Sequence, residues 1–219
     1  MSKWNFALGS SILVTLVSAP AFAGVIYTNG PANGQTNAFG INVGVSTADS
    51  FTVSSAATAL SAIFTAWELP GDTLSQVDYE ILTGSHNGTV IASGTASTVD
   101  TFQYVNGDGF DIDSVAFNFS TGVSVSPGTT YWLLLQNAVP TVASDSVFWD
   151  MNNGPSSAWN STSGNLTPHC GDDGEGDNSC SEAFSILGNP ATAPEPGSLA
   201  LGGTGFLMLA GFVRRKLRG

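Results

Sequence analysis

Val77-Asp78-Tyr79-Glu80-Ile81-Leu82-Thr83-Gly84-Ser85-His86-Asn87-Gly88-Thr89-Val90 is the stretch that decides the fold. Val77, Tyr79 and Ile81 alternate with Asp78 and Glu80, a period of two that puts the apolar side chains on one face of a strand. Asn87-Gly88, between Leu82 and Val90, is a hairpin signal, because both central residues of a type I′ turn need positive φ. The same period recurs further along. Asp111, Asp113, Val115, Phe117 and Phe119 take one face, and Ile112, Ser114, Ala116 and Asn118 take the other. Tyr131, Leu133 and Leu135 oppose Trp132, Leu134 and Gln136. Further strands are expected over Asp49 to Val53, Leu60 to Glu68, Thr89 to Ser93, Val147 to Asp150 and Ala183 to Leu187, in runs rich in Val, Thr, Phe and Trp. Pro70-Gly71-Asp72, Asn106-Gly107-Asp108-Gly109 and Pro127-Gly128 punctuate the junctions. No segment between them reads as a long amphipathic helix. The pattern predicts an all-β domain over residues 24–188, an antiparallel β-sandwich of jelly-roll type.

The two ends of the chain read differently. Lys3 precedes an apolar stretch from Phe6 to Val17 and then Ala21-Phe22-Ala23, the layout of a signal peptide over residues 1–23 with cleavage after Ala23. A short linker, residues 189–193, leads to a tail over residues 194–219. The tail begins with Pro194-Glu195-Pro196, continues as an uncharged stretch from Ser198 to Val213, and stops at Arg214-Arg215-Lys216-Leu217-Arg218. As a helix, residues 198–213 would span roughly 24 Å against a bilayer core of about 30 Å. Snorkelling by Arg214, Arg215 and Lys216, together with local bilayer thinning, covers the difference. The positive-inside bias places Arg214 to Gly219 in the cytoplasm and the domain across the membrane.

A Pro-Glu-Pro motif, an apolar helix and a basic end, in that order over residues 193–218, resemble the PEP-CTERM sorting signal. The resemblance implies that an exosortase, an integral-membrane cysteine protease or transpeptidase, reads Pro194, Glu195 and Pro196 and then releases or transfers the domain. These residues are then substrate positions. Ala193 stands where the family commonly has Val. The domain is also similar to the ectodomains of other exosortase-dependent surface proteins. Ala48-Asp49-Ser50-Phe51, Thr129-Thr130-Tyr131-Trp132-Leu133 and Glu182-Ala183-Phe184-Ser185-Ile186 carry that likeness. It implies a surface protein in an envelope that makes exopolysaccharide or biofilm.

Charge narrows the partners. All 17 acidic residues lie between Gly24 and Val213, and none of the five Lys and Arg does. Nucleic acid is therefore excluded as a partner, since phosphate contacts need Lys or Arg. Arg clamps for phosphate or carboxylate ligands are excluded as well. Such a surface suits solubility outside the cell, divalent cations or neutral glycans.

The two cysteines, Cys170 and Cys180, sit in a loop rich in Gly, Asp and Ser. After export they are expected to form a disulfide, credited with up to about 3 kcal/mol for a loop near this size. A Cys/Cys/His metal site with His169 is the alternative, and it lacks a fourth clear ligand. Within the loop, Asp172, Asp173, Glu175 and Asp177 are calcium candidates that depart from the EF-hand pattern, because the twelfth position counted from Asp173 is Phe184. A solvated acidic loop is the competing reading. Asp108, Asp111 and Asp113, of which Asp111 and Asp113 share one strand face, are a second calcium candidate, read in preference as a solvated face or a strand entry. No cofactor and no catalytic residue is assigned: the chain has no nucleophile elbow, no H-E-x-x-H and no P-loop. Two carboxylates at glycosidase spacing would be needed for a secreted hydrolase. Trp67, Trp132, Trp149 and Trp159 offer a lectin-like alternative, since one residue of Tyr131-Trp132 and one of Phe148-Trp149 must point away from the core. His86, beside Asn87-Gly88, is expected to be exposed. The expected role is therefore structural or adhesive. The expected location is a membrane-anchored form before processing, and the outer envelope or extracellular matrix after it.

Overall fold

A computed structural model describes residues 23–34, 37–165 and 181–191. In chain order the strands are β1 (Gly24–Thr28), β2 (Ala38–Gly40), β3 (Ser46–Phe51), β4 (Ala57–Glu68), β5 (Leu74–Thr83), β6 (Thr89–Val105), β7 (Asp111–Val125), β8 (Tyr131–Pro140), β9 (Phe148–Asn152), β10 (Ala158–Asn160), β11 (Gly164–Asn165), β12 (Ser181–Glu182) and β13 (Phe184–Pro190). The described residues contain no helix, so none is long and apolar enough to cross a membrane. The expected span, residues 198–213, lies outside them, as does the expected signal peptide up to Phe22.

Every strand pairing is antiparallel. The ladder runs β1-β13-β4-β7-β6-β5-β8-β3-β10-β11, with β9 joining β4 to the short strands β2 and β12. β6 turns the sheet back on itself. Residues up to Ser97 pair with β5, and residues from Thr98 onward pair with β7. In a flat sheet β5 and β7 would lie nearly 10 Å apart, about two strand spacings. Yet Tyr79 of β5 meets Phe117 and Phe119 of β7 with ring centroids 5.5 and 5.1 Å apart. Phe51 of β3 likewise meets Phe184 of β13 edge-on at 6.2 Å, although five strands separate them in the ladder. The sheet is strongly curled and its inner face closes around one core.

Pleat alternation supplies that core. In β4, Ala62, Phe64 and Ala66 are buried while Ile63 and Thr65 are half-exposed, and in β7 Val115, Phe117 and Phe119 are buried. Phe64, Phe117, Trp149 and Phe184 link edge-to-face across the curl. Truncating one of these rings to Ala would cost about 3–5 kcal/mol in lost transfer energy and cavity.

Several strands depart from their expected limits. β6 continues to Val105 rather than Ser93, because its later half finds a partner in β7. β13 runs to Pro190 and Ala191 donates its N–H to Ala56 O, so Asn189 and Pro190, expected as linker, belong to the sheet. The hairpin between β5 and β6 forms, but not through a type I′ turn: neither Asn87 nor Gly88 has positive φ, and the loop bends at Gly84 (φ 88°) instead. Gly88 is required for another reason, since a Cβ there would lie 1.9 Å from Thr83 O. Leu69-Pro70-Gly71-Asp72 closes with Asp72 N donating to Leu69 O at 3.0 Å and Gly71 at φ 86°, the type II arrangement that Pro-Gly favours.

Candidate functional site

The inward face of β4 does not end in an apolar residue. Ala62, Phe64 and Ala66 are followed on the same face by Glu68, which is 0% exposed. Asp113 holds the equivalent place on β7 two residues before Val115, opposite Ala66. Asp100 on β6 lies opposite Val115. Adjacency of β4, β7 and β6 thus brings together three carboxylates, with one oxygen from each within 4.8 Å of the others. The Leu69–Asp72 turn folds back beside them. Leu74 N donates to Asp100 Oδ2 at 2.6 Å, Gly71 N to Asp111 Oδ2 at 2.9 Å, and Val142 N to Asp72 Oδ1 at 3.2 Å.

Those bonds leave the centre of the cluster without donors. No N–H or hydroxyl group donates to either carboxylate oxygen of Glu68, and the same holds for Asp100 Oδ1 and Asp113 Oδ2. Burial, followed by the charge of Asp100 and a hydrogen bond shared with it, then the charges of Asp113 and Asp72, pushes Glu68 up to about 9. Burial, then Asp100 and Asp111, pushes Asp113 up to about 7. Asp113 lies at the entry of β7, one of the two expected readings, but the other, a solvated face, does not hold for it: it is 3% exposed, because the strand face it shares with Val115 and Phe117 is the core face.

A second acidic group lies where β12 re-enters the fold beside β9. Asp49 Oδ2 accepts from Glu182 N at 2.6 Å and from Ser156 Oγ at 2.8 Å, and Oδ1 accepts from Ser50 N at 2.6 Å. Asp150 Oδ1 accepts from Trp67 Nε1 at 2.5 Å and from Gly34 N at 3.0 Å. Asn29 ties the group to β1: its Nδ2 donates to Ser181 Oγ and Glu182 O, and its Oδ1 accepts from Phe184 N. Glu182 is 0% exposed, and neither of its carboxylate oxygens has a partner. Burial, with Asp49 and Asp150 nearby, raises it well above its ordinary 4.5. Despite their donors, burial still lifts Asp49 to about 7 and Asp150 to about 6.

The aromatic residues are less open than expected. Trp149 is fully buried and its Nε1 donates to Ala183 O at 3.0 Å. Trp67 is also buried. Trp132 does point away from the main core, yet it is only 9% exposed, covered in a small outer cluster with Ala48, Leu82, Leu134 and Trp159. His86, expected to be exposed, is half-buried; its ring stacks on Trp159 at 4.6 Å, and burial lowers its pKa. Pointing away from the core is thus not the same as facing solvent, because β10 and the β5–β6 loop cap this side. A shallow cleft of about 350 Å³ remains beside it, lined by Tyr27 and Trp132 with the hydroxyl groups of Thr52, Thr130 and Ser156.

Glu68, Asp100, Asp49, Asp150 and Glu182 were not singled out from sequence as site residues. For Glu68 and Asp113 the signal was present: each prolongs an inward-facing alternation by one step. The other candidates lie outside the described residues, namely Cys170, Cys180, His169, Asp172, Asp173, Glu175 and Asp177 in the loop, and Pro194, Glu195, Pro196, Arg214, Arg215 and Lys216 in the tail. Asp108 is on the turn between β6 and β7, its N–H donating to Asn106 Oδ1 at 3.0 Å. No family model matches the chain, and no curated protein matches it.

Proposed function

We propose that this is an exported surface protein, sorted through a PEP-CTERM tail by an exosortase, whose β domain has a structural or adhesive role in the outer envelope or an exopolysaccharide matrix. One observation carries the reading: every Lys and Arg sits in the two end segments, and the long acidic stretch between them contains none. The limits of the sheet support it. β1 starts at Gly24, next to the expected signal cleavage, and β13 ends at Pro190, four residues before Pro194. Aromatic contact between β3 and β13 supports the finer architecture of a jelly-roll-like sandwich, in which the halves of the curl act as two layers. The domain itself is read as non-enzymatic, a scaffold rather than a catalyst. The test is the intact mass of the protein extracted from the cell surface. A C-terminus near Pro194 to Pro196 is the expected result, and an intact Gly219 would overturn the exosortase step.

A second reading, a carbohydrate-binding module, is favoured by the cleft that sets Trp132 and Tyr27 beside the hydroxyl-bearing residues Thr52 and Thr130. Aromatic rings cover the apolar face of a sugar while hydroxyl groups exchange hydrogen bonds with it, and the cleft volume falls near the lower end for small ligands, roughly 300 Å³. Glycan binding that disappears in Trp132→Ala while the fold persists would favour it over a purely structural role.

A further inference from the structure

We propose that Glu68, Asp100 and Asp113 form a divalent-cation site of calcium type, on the inner face of the sheet beneath the β4–β5 turn. This goes beyond the sorting proposal and does not depend on it.

The acidic grouping alone would not suffice, but the state of Glu68 adds an independent observation. Its side chain is 0% exposed, no N–H or hydroxyl group donates to either carboxylate oxygen, and its one polar companion is the Asp100 carboxylate, which can hold it only through a shared proton that a cation would displace. A buried carboxylate needs a partner or a metal. Between Gly24 and Val213 the chain has no Lys or Arg that could serve, and His86 is committed to its stack on Trp159. Asp113, 3% exposed, directs an unpartnered Oδ2 to the same centre. Asp100 is oriented by its other oxygen, which Leu74 N holds, so that the unpartnered Oδ1 remains for the ion.

Ligand chemistry and size select the cation. All three side chains offer hard oxygen donors, the preference of calcium and magnesium. The three oxygens lie within 4.8 Å of one another, close enough for one ion with calcium–oxygen distances of about 2.3–2.6 Å to bridge them. Calcium is favoured over magnesium because magnesium dehydrates reluctantly and demands a near-ideal octahedron, which three carboxylates on separate strands do not impose. With one oxygen from Asp100 and one or two each from Glu68 and Asp113, the three carboxylates supply three to five oxygens, and the adjoining turn brings Asp72 close enough to act on Glu68 electrostatically. The second acidic group offers no such set: most oxygens of Asp49 and Asp150 are occupied by donors, so Glu182 has no companions free to share an ion.

The test uses the full chain in a mild detergent, stripped with chelator and dialysed. Terbium(III) is titrated in, with emission excited through Trp67, the residue preceding Glu68. Thermal unfolding is then followed with added calcium or magnesium. Expected results are saturable emission displaced by calcium, and a melting temperature raised more by calcium than by magnesium. In Glu68→Gln and in Asp113→Asn the affinity falls at least tenfold while the β-sheet circular dichroism is retained. Should one variant fail to fold, the other and the wild-type titration still decide the matter. Absence of both signals in the wild-type chain up to about 10 mM calcium, beyond the weak extracellular range, would overturn the site. Binding kept in both variants but lost in the combined Asp172→Asn, Asp173→Asn, Glu175→Gln, Asp177→Asn chain would overturn it too, and would assign the cation to the cysteine loop.

Discussion

Replacing Glu182 by Gln should stabilise the domain at neutral pH and leave it nearly unchanged in mild acid. The main-chain contacts of the residue, Glu182 N to Asp49 Oδ2 and Asn29 Nδ2 to Glu182 O, survive the change, and Gln keeps the volume. The carboxyl group is what differs. It is fully buried, without a partner, and faces two other acids, so the folded protein holds its proton to a higher pH than the unfolded chain does. A carboxyl with a raised folded-state pKa contributes nothing adverse below its unfolded value of 4.5 and opposes folding increasingly as pH rises above it. Each pH unit through which the folded form alone keeps the proton costs about 1.4 kcal/mol. That cost accumulates from pH 4.5 upward until the folded group also ionises, and it is drawn from the roughly 5–15 kcal/mol that holds a domain together. Gln carries no such penalty, and its amide N–H groups can donate to the neighbouring Asp49 or Asp150. The assay is urea unfolding followed by tryptophan fluorescence near pH 4.5 and near pH 7.5, in chelator so that cations do not contribute. The variant should gain stability at the higher pH and differ little from the parent chain at the lower. Equal changes at both pH values, or a loss at neutral pH, would refute the reasoning.

Other substitutions probe separate parts of the fold. Val43 has φ 52° in the turn closed by Val45 N donating to Asn42 O, a conformation that a β-branched residue adopts at a cost of about 1–2 kcal/mol. Because Val43 is 73% exposed and its side chain contributes little packing, Val43→Asn should raise the unfolding free energy by about 1 kcal/mol in the same urea assay. Trp67→Phe removes the 2.5 Å donor to Asp150 Oδ1 while keeping most of the apolar bulk, and should cost about 1–3 kcal/mol. Adding Asp150→Asn to that variant should recover part of the loss, and no recovery in the double-mutant cycle would separate the indole N–H from the effect.

Strand positions were legible wherever one face met the core. Phe64, Phe117 and Leu133 recur at period two because the inner side of the curl must be apolar, and the expected strands fall on the observed ones to within a few residues. β6 was harder to read, since Ala92-Ser93-Gly94-Thr95-Ala96-Ser97-Thr98 is small and polar like a loop. Its strand character comes from pairing with β5 and then β7, not from its own side chains. The Asn87-Gly88 signal found the right hairpin with the wrong turn, because a five-residue loop relieved both residues of positive φ. The acidic centre was half legible. Glu68 and Asp113 stood at inward positions that alternation marks, but the convergence of Asp100 with them depends on the order β4-β7-β6, which period and composition do not encode. The hydrogen-bonded group around Asn29, Asp49 and Ser181 was invisible for the same reason: it joins residues from distant parts of the chain.

The position of β13 has a mechanical consequence. It is held on one side by β4 and on the other by β1, where Gly24 lies opposite Gly188, and it delivers the chain to Ala191 on the way to the tail. Tension between the tail and any contact elsewhere on the domain therefore enters along the axis of β13. Inter-strand hydrogen bonds lie across that axis, so two ladders are loaded in shear together instead of opening one bond at a time. Forced unfolding follows the height of the unfolding barrier, and extraction of β13 must cross that barrier before the core is exposed. In a chain tethered through its C-terminal tail, as proposed above, the segment that takes the load is thus also the one seated between two neighbours, and the fold would carry that load without first peeling at an edge.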